Sequence, residues 1–240
     1  MKLILFADNT VGLEIFNYFL TNFAKDVCKV VTVEENDIYR KAKLNDIQVE
    51  VFDRNCEFYN EDYELGILAW WPLIIKEPLL SLPRNGFVNF HPSYLPYNRG
   101  KHYNFWALVE QSPFGVTLHK VDAGIDSGDI VSQLPIEYSW EDNGETLYKK
   151  AQTKIVELFK STYPKLRKGE IILKKQDLTK GSFRLSDEIE KASQIKLDVS
   201  YKARDLLNLI RARTFSNYPS CWFEEVDGEK YEVRIQIKRK

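Results

Sequence analysis

Three residue types come together in one stretch of the chain, and between them they could run proton-transfer chemistry. Asn89 and His91 sit two apart in the run Phe87-Val88-Asn89-Phe90-His91. On a strand that spacing sends both side chains to the same face. Further on, the acid- and glycine-rich loop Asp122–Asp129 (DAGIDSGD) offers Asp122, Asp126 and Asp129. A histidine titrates near neutrality and can take or give a proton. An asparagine amide can donate to an oxygen that becomes anionic. A buried aspartate can hold an imidazole and stabilise its cation. No serine or cysteine stands at a nucleophile elbow. The set therefore suits direct attack of an amine on a carbonyl, with the choice among the three aspartates left open by spacing alone.

Each of these residues also has a plainer role. A histidine at a strand end is more often structural than catalytic, and His119 reads that way, as one residue of a strand. Asn89 could form a turn, and the loop aspartates could make local Asx turns. His91 and His102 are separated by eleven positions with no HExxH spacing, so no metal is expected. Neither GIDSGD nor Asp8–Gly12 is a GxGxxG fingerprint, which argues against a dinucleotide cofactor.

The elements that must position these residues alternate in type. Lys2–Ala7, Val27–Val33, Ile47–Val51, Glu64–Trp70 and Phe87–Phe90 read as strands, separated by helical patterns such as Leu13–Phe23 and Asp37–Asn45. Ile130–Ile136 is a further strand. Gly144–Arg167 predicts a long amphipathic helix with Leu147, Ala151, Ile155, Leu158, Phe159 and Leu166 inward. Glu170–Leu185 is mixed and basic. Val199–Arg213 predicts another helix with Ala203, Leu206, Leu207 and Ile210 inward. Asp227-Gly228 inside the alternating end predicts a hairpin. The expected class is α/β, a Rossmann-like, mostly parallel sheet with flanking helices, plus a small C-terminal helix and β-hairpin. Residues 1–180 read as the main α/β domain, and residues 181–240 as an extension whose hairpin, marginal alone, should pack on the main body or on a partner subunit.

Composition narrows the partners. With 240 residues and a net charge of −1, the chain has no global field favouring nucleic acid or an anionic membrane. No apolar run approaches a membrane span. The cysteines, Cys28, Cys56 and Cys221, are three in number and scattered, so a cytoplasmic setting is expected.

At this point the motifs match a family. Asn89-x-His91-Pro92-Ser93-x-Leu95-Pro96-x-x-Arg99-Gly100, then Gly115-Val116-Thr117, then Asp122-x-Gly124-Ile125-Asp126-Ser127-Gly128-Asp129 resembles the 10-formyltetrahydrofolate-dependent formyltransferases. The resemblance implies Asn89, His91 and Asp126 as the catalytic trio. It implies that the loop Ala69–Ile75 (AWWPLII), with Trp71, Leu73 and Ile74, reads the folate's pterin edge, and that Asp122 lies on its other side. Trp70 and Trp71 depart from the smaller residues common there. The Asn98-Arg99-Gly100-Lys101-His102 run and the terminal hairpin look most like the bacterial sugar N-formyltransferases. These act on nucleotide-linked amino sugars such as dTDP-4-amino-4,6-dideoxyglucose or its 3-amino isomer, for surface glycans. On that resemblance the acceptor contacts are sought at Asn9, Lys101, His102, Tyr103, Arg184, Tyr218 and Trp222. The enzyme would be a homodimer using 10-formyltetrahydrofolate and no metal. A glycinamide ribonucleotide or methionyl-tRNA enzyme, or a formyltetrahydrofolate hydrolase, is the alternative.

Overall fold

Leu3–Ala7 is apolar at every position, and such a run is satisfied only with both faces covered. It forms β1, and all five residues are buried. The structure is a computed structural model that describes residues 1–53 and 62–240. Cys56 lies outside the described residues. α1 (Asn9–Asn22) follows and turns Val11, Ile15, Phe16 and Phe19 inward. After β2 (Val27–Thr32), Asn36 starts α2 (Asp37–Leu44), its side-chain oxygen accepting from the amides of Ile38 and Tyr39. That satisfies two of the donors a helix start leaves unpaired.

The remaining elements are β3 (Gln48–Val51), β4 (Leu65–Ala69), β5 (Phe87–His91), β6 (Arg99–Gly100), α3 (Tyr103–Glu110), β7 (Gly115–Lys120), β8 (Ile130–Pro135) and α4 (Gly144–Arg167). Then come β9 (Phe183–Arg184), α5 (Glu188–Ala192), α6 (Ala203–Arg213), β10 (Cys221–Glu224) and β11 (Lys230–Val233). The main sheet runs β3-β2-β1-β4-β5-β7-β8. The pairs from β3 to β5 are parallel, and β7 is antiparallel to β5. The expected α/β class holds: a mostly parallel mixed sheet with flanking helices, and helices and a hairpin at the C-terminal end. Strand order reverses beside β1, so the carboxyl ends of β1, β4 and β5 are where ligands of such sheets gather.

The described residues divide into two compact units. One comprises residues 1–91, 117–133 and 155–176, and the other residues 92–116, 134–154 and 177–240. In the first, Ile4, Phe6, Val31, Tyr63, Leu68, Ile75 and Phe87 form a buried cluster. Gly66 admits the ring of Phe87, where an added Cβ would lie 2.2 Å from a ring carbon. Phe19, Phe159 and Tyr163 pack as a second aromatic group. Beside it Asp26 accepts from the Tyr163 hydroxyl at 2.7 Å and from Arg167 Nε at 2.6 Å.

In the second unit, β6 pairs with β9 and β10 with β11. Here the sequence expectation needs correction. The helix predicted over Val199–Arg213 begins at Ala203, which is exposed, and its buried residues are Asn208, Ile210, Arg211 and Ala212. Leu206 and Leu207 are only half-buried. The reason is polar. Arg211 donates from Nη1 to the carbonyls of Ser139 (2.6 Å) and Asp142 (2.9 Å) and from Nε to Asn208 Oδ1 (2.9 Å), which partners these buried groups. Glu170–Leu185, mixed in pattern, contains β9 and a bridge between Lys174 and Ile130.

Candidate active site

β5 delivers Asn89 and His91 to one face, as their spacing requires. The antiparallel register then adds a residue. Asn89 lies opposite His119 and His91 opposite Thr117. Residues directly opposite in an antiparallel pair share a face, so His119 joins Asn89 and His91. His91 and His119 are both buried.

The third component is the loop between β7 and β8. Asp122 Oδ1 accepts from the Gly124 amide (3.1 Å) and the Ser127 hydroxyl (2.8 Å), which folds the loop on itself. Gly128 lies so close to the Lys120 carbonyl that a Cβ there would come within 1.9 Å of its oxygen. Between these ties Asp126 takes a left-handed backbone, φ 50°. Its carboxylate ends with Oδ2 3.4 Å from His91 Nδ1 and Oδ1 3.5 Å from His119 Nε2. Of the three loop aspartates, Asp126 is the one so placed.

The hydrogen positions follow from the partners. His119 Nδ1 lies 2.8 Å from the Lys120 carbonyl, which can only accept, so Nδ1 carries the proton. In the neutral ring Nε2 is then an acceptor, and the Asn89 amide nitrogen stands 3.4 Å from it. His119, expected as a mere strand residue, therefore stands within reach of both Asn89 and Asp126. Only the strand pairing reveals this, because nothing in the local pattern of β7 distinguishes it. Among the described residues no group of three or more His, Cys, Asp or Glu side chains could hold a metal ion.

The comparisons with known proteins bear on the whole of this arrangement. Residues 23–162, which include every residue above, match the family described as formyl transferase. The chain belongs to the formyl transferase family. In this formyl transferase, residues 188–239 also match an N-formyltransferase dimerization C-terminal domain. It is 32% identical over 172 residues to a methionyl-tRNA formyltransferase of Thermodesulfovibrio yellowstonii, covering 71% of this chain and 53% of the relative. It is 29% identical over 153 residues to a dTDP-4-amino-4,6-dideoxyglucose formyltransferase of Mycobacterium bovis, covering 63% and 64%. The matches thus span about half to two thirds of these curated relatives. Its fold is similar to that of a 4-N formyltransferase from Francisella tularensis (TM-score 0.83, 22% identity, 100% and 98% coverage). It is also similar to an N-formyltransferase from Helicobacter canadensis in complex with folinic acid and dTDP-3-aminofucose (TM-score 0.76, 21% identity, 91% and 82% coverage).

Of the residues expected to touch folate, Asp122 lies in the loop just described, and Trp71, Leu73 and Ile74 follow β4. Trp70 is left-handed there, φ 58°. Trp71 packs edge-on against Phe6 (5.2 Å) and Phe52 (5.4 Å), so much of its ring belongs to the core. Its indole N–H is buried with no partner among the described residues. Leu73 is partly and Ile74 largely exposed. Exposed apolar side chains beside a buried, unpartnered donor fit a flat heterocycle with a polar edge. Asn9, at the start of α1 with φ 59°, donates to Asp8 at 3.2 Å.

The other expected acceptor residues belong to the second unit. Lys101 is exposed. His102 precedes α3 with φ 58° and sits 3.2 Å from the Ser186 carbonyl. Burial pushes its pKa down, the Ser186 carbonyl partly offsets this, and the charges of Arg213 and Lys101 lower it further. Tyr103 stacks on Tyr148 (6.5 Å, 14°), which meets Phe215 (5.6 Å), which meets Tyr218 (5.0 Å), making an aromatic row that ends at an exposed tyrosine. Arg184 is engaged otherwise. Its guanidinium lies 4.2 Å above Trp106 and pairs with Glu110 and Glu188. Trp222 is half-buried on β10 under Lys230, 4.9 Å from its ring centroid. Among the described residues no helix is long and apolar enough to cross a membrane.

Proposed function

We propose that this chain transfers the formyl group of 10-formyltetrahydrofolate to the amino group of a nucleotide-linked amino sugar. The acceptor would be a dTDP-4-amino-4,6-dideoxyhexose or its 3-amino isomer, used in surface-glycan synthesis. One observation carries the chemistry: Asp126 stands 3.4 Å from Nδ1 of His91, on the strand face that Asn89 shares. Distances of this kind tighten when substrate binds. The folate supplies the activated formyl group. Asn89 donates its amide hydrogen to the oxygen that becomes anionic when the amine nitrogen bonds to the formyl carbon. His91, held through Nδ1 by Asp126, takes the proton the amine loses and returns it to the folate nitrogen as that nitrogen's bond to the formyl carbon breaks.

The acceptor class draws on what relatives are named for, a dTDP-amino sugar formyltransferase and a complex with dTDP-3-aminofucose. In this chain Asn9, Lys101, His102 and the row Tyr103–Tyr148–Phe215–Tyr218 are our candidates for nucleotide and sugar contacts. We assign catalysis to residues 1–180 and acceptor binding and homodimer formation to residues 181–240, in a cytoplasmic enzyme. The dimerization-domain match over residues 188–239 supports the dimer.

The test offers formyltetrahydrofolate with a panel of nucleotide-linked amino sugars, and with glycinamide ribonucleotide and methionyl-tRNA as competitors, and weighs the products by mass spectrometry. A formylated nucleotide sugar is the expected product. Formylation of either competitor alone, or release of formate without any acceptor, would refute the acceptor assignment.

A further inference from the structure

The loop that carries Asp126 is held by a side chain 50 positions downstream. Gln176 Nε2 lies 3.0 Å from the Asp126 carbonyl and 2.6 Å from that of Gly128. Both partners only accept, so it is the amide's N–H groups that face the loop. Gln176 Oε1 is buried with no partner among the described residues. The polar contacts of this side chain are therefore the two loop carbonyls.

We propose that Gln176 is a positioning residue for the reaction, fixing the backbone of the Asp126 loop so that the carboxylate reaches His91. The assignment rests on Asp126 being the acid proposed above. Asp126 has φ 50°, a conformation that a non-glycine residue keeps only where its surroundings over-determine it. Asp122, through Ser127 and Gly124, ties one side of the loop, and the close approach of Gly128 to Lys120 ties the other. Between them Gln176 grips the peptide carbonyls of Asp126 and Gly128, on the C-terminal side of the bend.

Its own anchor is the sheet. Two residues upstream, Lys174 exchanges both backbone hydrogen bonds with Ile130, at 2.8 and 3.0 Å, where β8 begins. The clamp is thus fastened to a strand rather than to the loop it holds. Without it the peptide at Asp126 can relax to negative φ, and the carboxylate leaves His91. Facing His91 are Asp126 from the loop and, ring centroid to ring centroid at 6.3 Å, His119 from β7.

The chain has three histidines, so their titrations can be followed individually by NMR in the free protein. The variant is Gln176→Met, close in volume but without the two donors. The His91 midpoint should fall toward its value in Asp126→Asn, because a carboxylate at this range favours the imidazolium. His102 should not move. Adding Gln176→Met to Asp126→Asn should change His91 no further. Formyl transfer should show kcat lowered roughly tenfold to a hundredfold, with KM for both substrates within about twofold. Unchanged His91 titration in a folded Gln176→Met protein overturns the proposal, as does a raised KM at unchanged kcat. If that variant fails to fold, Gln176→Glu, which keeps the length and sets a carboxylate against the two carbonyls, is judged by the same titration. Because the titration needs no substrate, failure of the acceptor assignment would appear separately, as wild-type protein that formylates no amino sugar while His91 still responds to Gln176.

Discussion

The Asn89 amide nitrogen lies 3.4 Å from Nε2 of His119, its partner directly across the β5–β7 pair. The Lys120 carbonyl places a proton of His119 on Nδ1; in the neutral ring Nε2 then offers Asn89 a lone pair, at the same nitrogen that Asp126 Oδ1 approaches to 3.5 Å. Removing that acceptor should free the amide to rotate. His119→Ala is expected to lower kcat roughly tenfold, an order set by losing one aligned donor in part. In an Asn89→Ala background the same change should cost less than in the wild type, the remainder reporting the approach of His119 to Asp126. Additive losses in the double variant would contradict this coupling.

His91 acts on the proton itself. His91→Asn should cut turnover by at least about a hundredfold, the usual scale for lost acid–base help, in a protein that stays folded. Steady-state kinetics beside a thermal melt measure both parts, and near-normal turnover would remove His91 from the mechanism.

Asp26 predicts an acid-sensitive fold. Burial raises its pKa, but Arg167 and Tyr163 outweigh burial and hold the carboxyl below its ordinary value. A carboxyl depressed in the folded state contributes stability above its unfolded pKa, near 4, and loses it as pH falls through the lower folded value. Chemical denaturation from pH 6 down to pH 2 should show that slope, and Asp26→Asn should flatten it. Tyr163→Phe, which removes a hydrogen bond to a charged acceptor, should cost roughly 1.5–3 kcal/mol at neutral pH.

Arg184 is already committed to Glu110, Glu188 and the face of Trp106. Arg184→Met should therefore show first as a melting temperature lowered by a few degrees, the scale of about one or two kcal/mol in a chain of this size. The KM of the nucleotide-linked acceptor should stay within about twofold. A large rise in that KM with an unchanged melt would make Arg184 a ligand contact instead.

Cys221 is buried, and burial pushes its thiol up to about 12. The thiolate is the reactive form, so Cys221 should resist alkylation at pH 8 until the protein unfolds. Mass mapping of labelled peptides, native against denatured, reads this directly. Native labelling of Cys221 as fast as in the denatured chain would mean that its surroundings open readily.

Much of this protein was legible before any coordinates. The apolar runs of β1 and β4 announce strands covered on both faces, and the amphipathic period of α4 announces its buried side. The two-residue strands β6 and β9 carry too few positions for any periodicity. α6 misled for another reason. Its interior holds Asn208 and Arg211, and a polar residue looks inward only when its distant partners, here Ser139 and Asp142, are known.

The same division runs through the site. Sequence alone determined that Asn89 and His91 share a face, because strand geometry has a period of two, and its motifs singled out Asp126 by resemblance. The tertiary structure sets Asp126 3.4 Å from His91, and it alone decided that His119 stands beside Asn89 and that Gln176 grips the loop. These contacts depend on strand register and on a left-handed bend at Asp126, both set by partners 30 to 50 positions away. Local pattern carries no record of such distances.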